Sequence, residues 1–479
     1  MSQSIRRFSR VLAKNKTFFR TLIGRSCSSL SGTEDDTSQV YDVVISGGGM
    51  VGASMACALG SDPLFKGRKV LMLEGAPEAK AVQLTEKYNN RVCALSPASV
   101  EFLSKFGAWN EILTMRAQPV KRMQVWEACS ESMITFDRDS MDGTLAYIVE
   151  NNVILEGINR QISHCGDSVE IRYKTKAKGY ELSTQTEENP GYSLVKIHLD
   201  NGETIRTRLL IGADGFRSLV RETANINTIG YDYDHSAIVA TLHLSEPCEN
   251  NVAWQRFLPT GPIALLPLSD TLSSLVWSTT HEEAQALMKL PGDAFVDEIN
   301  KAYWHESEKN NLAVTAGQIL GQVLSALPVE TRKSVKQLPP TIVDVDEETR
   351  ATFPLGIKHS SNYAAPRLAL IGDAAHRIHP LAGQGVNLGF GDAECLAEQI
   401  SHAIYDGADI GALHYLQQYE TIRQRHVIPV MATIDGLKRL YGTAFSPVVL
   451  LRSLGLQTTD SFPFIKDKIM ELAMHGIRS

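Results

Sequence analysis

The stretch YDVVISGGGMVG, residues 41–52, decides the fold. Its first six residues form the β-branched apolar run of a strand buried on both faces. Gly47, Gly49 and Gly52 then fall in G-x-G-x-x-G spacing, and residues 50–59, rich in Ala and Met, read as a helix. Residues 69–74 (KVLMLE) form a second buried strand, so strand, glycine turn, helix and strand make a βαβ unit. Gly47 permits the tight turn, Gly49 lets backbone approach a pyrophosphate, and Gly52 lets the helix lie close to the strand. The helix start offers free N–H groups and a positive dipole end to phosphates. Glu74 follows Gly52 by 22 residues, where a carboxylate can accept hydrogen bonds from a ribose. The bland alternative is a glycine-rich turn with an ordinary surface glutamate. The stretch predicts a dinucleotide site without separating NAD from FAD.

Working outward, two later segments make that separation. Residues 209–215 (LLIGADG) are a buried strand ending in a tight turn at Asp214, followed by Ser218 and Arg221. Residues 369–376 (ALIGDAAH) are another, leading into PLAGQGVN at 380–387. Asp373 leaves its strand where a ribityl or ribose hydroxyl could be bound. The glycines at 383, 385 and 389 let a helix begin against a flat ring, with its N–H groups set to stabilise negative charge on a reduced flavin. Residues 194–199 and 204–211 read as a hairpin across Asp200-Asn201-Gly202. Residues 237–244, 252–258, 263–268 and 273–278 read as an antiparallel sheet, and residues 312–327, 392–405 and 412–425 as helices.

Composition sets the outer limits. The 479 residues are 43% apolar and 21% charged, which fits a globular chain and excludes a collagen-like, disordered or membrane-spanning one. The net charge of -7 is uneven: residues 1–33 hold seven basic side chains and no acid, leaving 40 basic against 54 acidic residues in the remainder. So acidic a body argues against nucleic-acid binding. The Arg- and Ser-rich, acid-free leader has the composition of a mitochondrial transit peptide. Seven scattered cysteines without a C-x-x-C pair suit a reducing compartment. Neither G-x-S-x-G nor any Gly-Lys dipeptide occurs, which disposes of the nucleophile elbow and the P-loop.

The glycine turn, the GADG segment and GDAAH followed by GQGVN resemble, in order over most of residues 40–430, the flavoprotein aromatic hydroxylases, the class of para-hydroxybenzoate hydroxylase. Asn90-Arg91-Val92, YIVEN at 147–151, WQRFLP at 254–259 and HPLAGQG at 379–385 look like the branch of mitochondrial ubiquinone-biosynthesis monooxygenases. The resemblance implies an α/β chain with a Rossmann-like FAD-binding domain (40–120, 145–225 and 345–430) interleaved with an antiparallel-sheet substrate domain (121–144 and 226–344, with an insertion near 300–345). A helical C-terminal segment (431–479) follows.

It further implies FAD, with pyrophosphate at Gly47, Gly49 and Gly52, adenosine ribose at Glu74, and Arg91 lying along the cofactor. Asp214 belongs to a segment linked to FAD, Asp373 would bind the ribityl chain, and Pro380, Gly385, Val386 and Asn387 would pack beside the isoalloxazine. The implied reaction is hydroxylation at C5 of a polyprenylated 4-hydroxybenzoate by O2, through a flavin C4a-hydroperoxide. An FAD-dependent isoprenoid reductase and a non-catalytic FAD-fold scaffold are the alternatives. The implied setting is the matrix side of the mitochondrial inner membrane, as a peripheral protein in a complex with other ubiquinone-biosynthesis proteins. Its implied electron donors are a ferredoxin and ferredoxin reductase. Arg256 could contact a substrate carboxylate or be an ordinary strand residue. Trp254 and Trp277 read as core. His376 and His379 near Asp373 suggest no third ligand, so no metal is expected. The tail, through Leu440, Val448, Val449, Leu450 and Leu451 with Arg439 and Arg452, is either a membrane-docking face or packed on the FAD domain.

Overall fold

A computed structural model describes residues 39–78, 87–130, 132–137, 143–183, 193–305, 315, 316, 319, 322, 337–380, 383–443 and 445–475. The basic leader and most of the expected helix at 312–327 lie outside the described residues.

Strand Val40–Ser46 lies at the centre of a parallel sheet, between Val70–Leu73 on one side and Thr204–Gly212 on the other. Val169–Arg172 extends the first edge and Leu368–Leu370 the second, both in parallel. Val43, Val44, Ile45, Leu71, Leu210 and Leu370 are fully buried, with helix Met50–Ser61 packed against the sheet and Tyr180 of strand Ala177–Glu181 reaching Ser46. The predicted hairpin is present: Val195–Leu199 pairs antiparallel with Thr204–Gly212, and Gly202 takes the positive φ of its turn. Helix Met50–Ser61 packs against helix Asn151–His164 and against helix Gly385–Tyr405.

A second sheet is largely antiparallel. Strand Thr228–Leu244 pairs with Leu272–Thr280, Ala351–Ser360 and Ile342–Val345. Val252–Leu258 and Gly261–Pro267 continue the sheet to Arg122–Glu127 and Met133–Asp137. Ala351–Ser360 therefore belongs to this sheet, which moves residues 345–360 from the expected cofactor-binding part to the substrate part. The period-two alternation of strands divides the sheet into two faces. Trp254 and Trp277 lie on the outer face, where Phe295 and Ile299 of helix Gly292–Trp304 cover them. Ala253, Gln255 and Phe257 lie on the opposite face. A small third sheet joins Val92–Leu95, Ala146–Glu150 and Gln118–Val120.

Helix Leu413–Tyr441 runs well past the expected end at 425, with Pro429 inside it. Helix Ser446–Ser461 packs on strand Met133–Asp137 of the antiparallel sheet, while helix Pro463–His475 also reaches helix Pro97–Lys105 of the FAD-binding part. Tyr441 stacks on Phe257 with ring centroids 4.0 Å apart. Arg452 is buried: its Nε donates to Glu127, and its Nη1 donates to the carbonyls of Leu440, Tyr441 and Thr443. Arg452 and Val449 are thus structural pins, which removes them from the expected docking face. Leu451, Phe445 and Phe464 stay exposed. No helix among the described residues is long and apolar enough to cross a membrane.

Candidate functional site

The three glycine-bearing loops meet. At Gly47 (φ +111°) a Cβ would stand 2.3 Å from the Ala213 carbonyl oxygen, and at Gly52 1.9 Å from the Gly47 carbonyl oxygen. Both glycines are therefore required by the fold itself. A Cβ at Gly49 meets nothing within 4 Å, so no protein contact demands glycine there. Two residues on, Val51 is the neighbour that a Cβ at Gly372 would approach to 3.3 Å and one at Gly389 to 2.6 Å. The start of the first helix thus touches the residue before Asp373 and the helix after residue 384.

Glu74 is held ready by its neighbours. The Gly48 N–H donates to its Oε2 at 2.8 Å and the Ala76 N–H to its Oε1 at 2.7 Å. A Cβ at Gly48 would crowd the Glu74 side chain, which accounts for the middle glycine of the run. Asp214 serves the local fold, because its Oδ2 accepts from the N–H groups of Leu219 and Val220 and caps the short helix there. Its Oδ1 is buried with no hydrogen-bond partner among the described residues.

Asp373 opens onto a cavity of about 2240 Å³. Its carboxylate accepts no hydrogen bond among the described residues. Enclosure by the walls raises its pKa above the usual carboxylate range, against the opposing pull of His376 and Arg377. Arg91, Pro380, Gly385 and Val386 line the same cavity. The Arg91 guanidinium has no partner among the described residues. Helices Met50–Ser61 and Gly385–Tyr405 both start without a side-chain cap, as do helices Asn151–His164, Gly292–Trp304 and Leu413–Tyr441. Uncapped starts leave backbone N–H groups free for anionic groups of a bound molecule. Asn387 differs from expectation. Its Oδ1 accepts from the Ser96 N–H and Ser99 Oγ, and its Nδ2 donates to the Ala94 and Gly383 carbonyls. That side chain staples the helix start to residues 94–99 and has little capacity left for a ligand.

Arg256 also departs from expectation. It lies on the outer face of its strand, 6% exposed, and its Nη atoms donate to the carbonyls of Ala302 and His305 at 2.9 and 3.0 Å. It anchors the end of helix Gly292–Trp304 and does not face the cavity.

Sequence reasoning missed Asp392 and Arg423. Asp392 is fully buried: Oδ1 accepts from Arg423 Nε at 2.8 Å, while Oδ2 accepts from the Gly372 N–H at 2.9 Å and bonds His376 Nε2 at 2.6 Å. Burial alone would raise its pKa, but His376 and Arg423 outweigh burial and hold it below the usual carboxylate range. The network fixes the turn that presents Asp373, and it occupies His376 with a structural role. The available signal was a carboxylate within the buried stripe Leu388, Asp392, Leu396.

The residues present fit FAD. Glu74 stands beside the glycine turn, open space lies over Gly49, an unpartnered carboxylate stands at Asp373, and an uncapped helix start borders the cavity. The FAD binding domain family matches residues 40–317 and 331–433. The mitochondrial ubiquinone biosynthesis monooxygenase COQ6 of Xenopus tropicalis is 51% identical over 434 residues, covering 91% of this chain and 93% of that protein. The Homo sapiens protein of the same name is 51% identical over 443 residues, covering 92% and 94%. Among solved structures, p-nitrophenol 4-monooxygenase PnpA of Pseudomonas putida superposes with a TM-score of 0.65 at 17% identity, covering 92% of this chain and 100% of that one. Pseudomonas aeruginosa PqsL in complex with 2-aminobenzoylacetate gives 0.64 at 22%, covering 88% and 100%. The chain therefore belongs to the FAD-binding-domain family and, within it, to the mitochondrial ubiquinone biosynthesis monooxygenases.

Proposed function

We propose that the chain hydroxylates the ring of a polyprenylated 4-hydroxybenzoate at C5 in ubiquinone biosynthesis, using FAD and O2. The observation that carries this reading is the cavity. It runs from Asp373 and Gly385 along the inner face of the antiparallel sheet to Leu440, Leu456 and Ile469 of the C-terminal helices. Small-molecule pockets are roughly 300–1,000 Å³, so about 2240 Å³ suffices for a flavin end and a long apolar substrate together.

Bound FAD supplies the activation of O2; the chain supplies binding, orientation and dryness. Gly47 and Gly52 shape the turn that receives the pyrophosphate, and Gly49 leaves it room. Glu74 would accept from the adenosine ribose and Asp373 from the ribityl chain. Arg91 would lie along the cofactor, and Pro380, Gly385 and Val386, which line the same cavity, would border the isoalloxazine. The apolar wall around Val125, Phe257 and Leu266 excludes water and orients the ring.

A prenylated ring enters from a bilayer. Support comes from the exposed Leu451, Phe464 and Ile469, of which Leu451 and Ile469 also line the cavity. The protein works on the matrix side of the mitochondrial inner membrane, beside other proteins of the pathway. Electrons arrive from a ferredoxin and its reductase, a reading supported by Arg217 and Arg377, whose guanidinium groups lie 5.3 and 4.8 Å from the Phe216 ring at the cavity edge. Anaerobic reduction of the yellow protein with NADPH alone, then with a ferredoxin system, followed by O2 and substrate, tests the whole reading. A C5-hydroxylated product is expected with the second donor. Turnover without O2 consumption would replace it with a reductase.

A further inference from the structure

Gln255 is a buried polar side chain without a partner among the described residues. It sits mid-strand in Val252–Leu258, paired in register with Ala264 on one side and Val125 on the other. It is 5% exposed and borders the cavity. Its surroundings on that face are apolar: Val125, Ala253, Phe257, Ala264 and Val276. No hydrogen bond among the described residues uses that amide, which opens onto the cavity, and both neighbours on its strand face show that apolar residues fit there.

We propose that Gln255 is the specificity-determining residue for the ring, donating or accepting a hydrogen bond to an oxygen substituent of a hydroxylated aromatic ring held against the sheet. This rests on the aromatic-monooxygenase reading above. An amide suits either partner: its Nε2 donates to a carboxylate or phenolate, and its Oε1 accepts from a phenol. An isoprenoid tail offers no polar atom, so in this stretch of wall the side chain discriminates the head group alone. A pocket that hydrogen-bonds a hydroxyl rejects the ligand lacking it far more strongly than an apolar pocket discriminates by size.

The test uses the FAD-loaded full chain, wild type and Gln255→Leu. Two probes are titrated by perturbation of the flavin absorbance: 4-hydroxybenzoate with a short prenyl chain, and the same prenylated benzene without ring oxygens. Wild type should bind the first more tightly. The variant should lose roughly 10- to 100-fold on the first and stay within about twofold on the second. Its flavin content should be unchanged and its Tm equal or higher, since an amide with a structural role would lower Tm on removal. Equal losses on both probes, an unchanged preference, or a fall in Tm of several degrees overturns the proposal. Wild type that binds neither probe overturns it together with the reading beneath it.

Discussion

Asp373→Asn isolates the cofactor contact from the fold. The carboxylate receives no hydrogen bond among the described residues, so no described partner is orphaned by the change. Its pKa is raised in the folded chain, chiefly by enclosure. A carboxyl whose folded pKa lies above its unfolded value loses stability as pH rises between the two, and the deficit persists at neutral pH. Asparagine removes that deficit, so the flavin-free variant should unfold at the wild-type temperature or slightly above it. Binding should suffer instead. A hydrogen bond to a charged group contributes about 1.5–3 kcal/mol, which predicts a Kd for FAD weaker by about 10- to 150-fold. Flavin fluorescence quenching on deflavinated protein measures the Kd, and thermal unfolding of the same samples reads stability. A wild-type Kd, or an apoprotein Tm several degrees lower, would refute the assignment of Asp373 as a ligand group left free by the fold.

Two alanine substitutions in one turn should separate. Gly49→Ala, with nothing within 4 Å of the new methyl, should keep the apoprotein Tm and lose FAD, whereas Gly52→Ala, 1.9 Å from a carbonyl oxygen, should lower Tm itself. Arg452→Met leaves Glu127 buried without its countercharge, held only by the Ser130 and Ser453 hydroxyls, and should cost about 3–5 kcal/mol in denaturant unfolding, with Glu127→Gln recovering part of it. Asp392 is depressed in pKa, so its contribution is complete above the usual carboxylate range near about 4 and is lost as pH falls through the folded value. Asp392→Asn should flatten the acid limb of a stability-versus-pH curve and lower stability at pH 7; an unchanged limb would remove the network from the acid response.

The parallel sheet was legible because residues 41–46 and 69–74 advertise burial on both faces and the glycines between them have steric reasons. The antiparallel strands were legible from their spacing, but their faces were not. Arg256 draws notice as a cation, while the cavity side belongs to Gln255, one residue earlier, and only the register with Ala264 and Val125 reveals that parity. Asn387 reads as a ligand group because it follows the glycines, yet its bonds run to residues nearly 300 positions earlier, which no local pattern encodes. Asp392 and Arg423 escape for the same reason: a buried ion pair is defined by its partner. The long helix Leu413–Tyr441 outruns its expected end at 425, and Pro429, a residue that ordinarily breaks a helix interior, is tolerated inside it.

The way the two sheets are threaded through each other has a cost during synthesis. Ser46 waits for Gly212, Gly212 waits for Leu370, and the turn before Asp373 waits for Arg423. Until the last of these emerges, the central strands are open edges with fully apolar faces, the state most prone to clumping. Such distant pairings also assemble slowly. A ligand that grips only the finished arrangement pulls that assembly to completion by mass action, so flavin supply should govern how much of this chain survives its own birth.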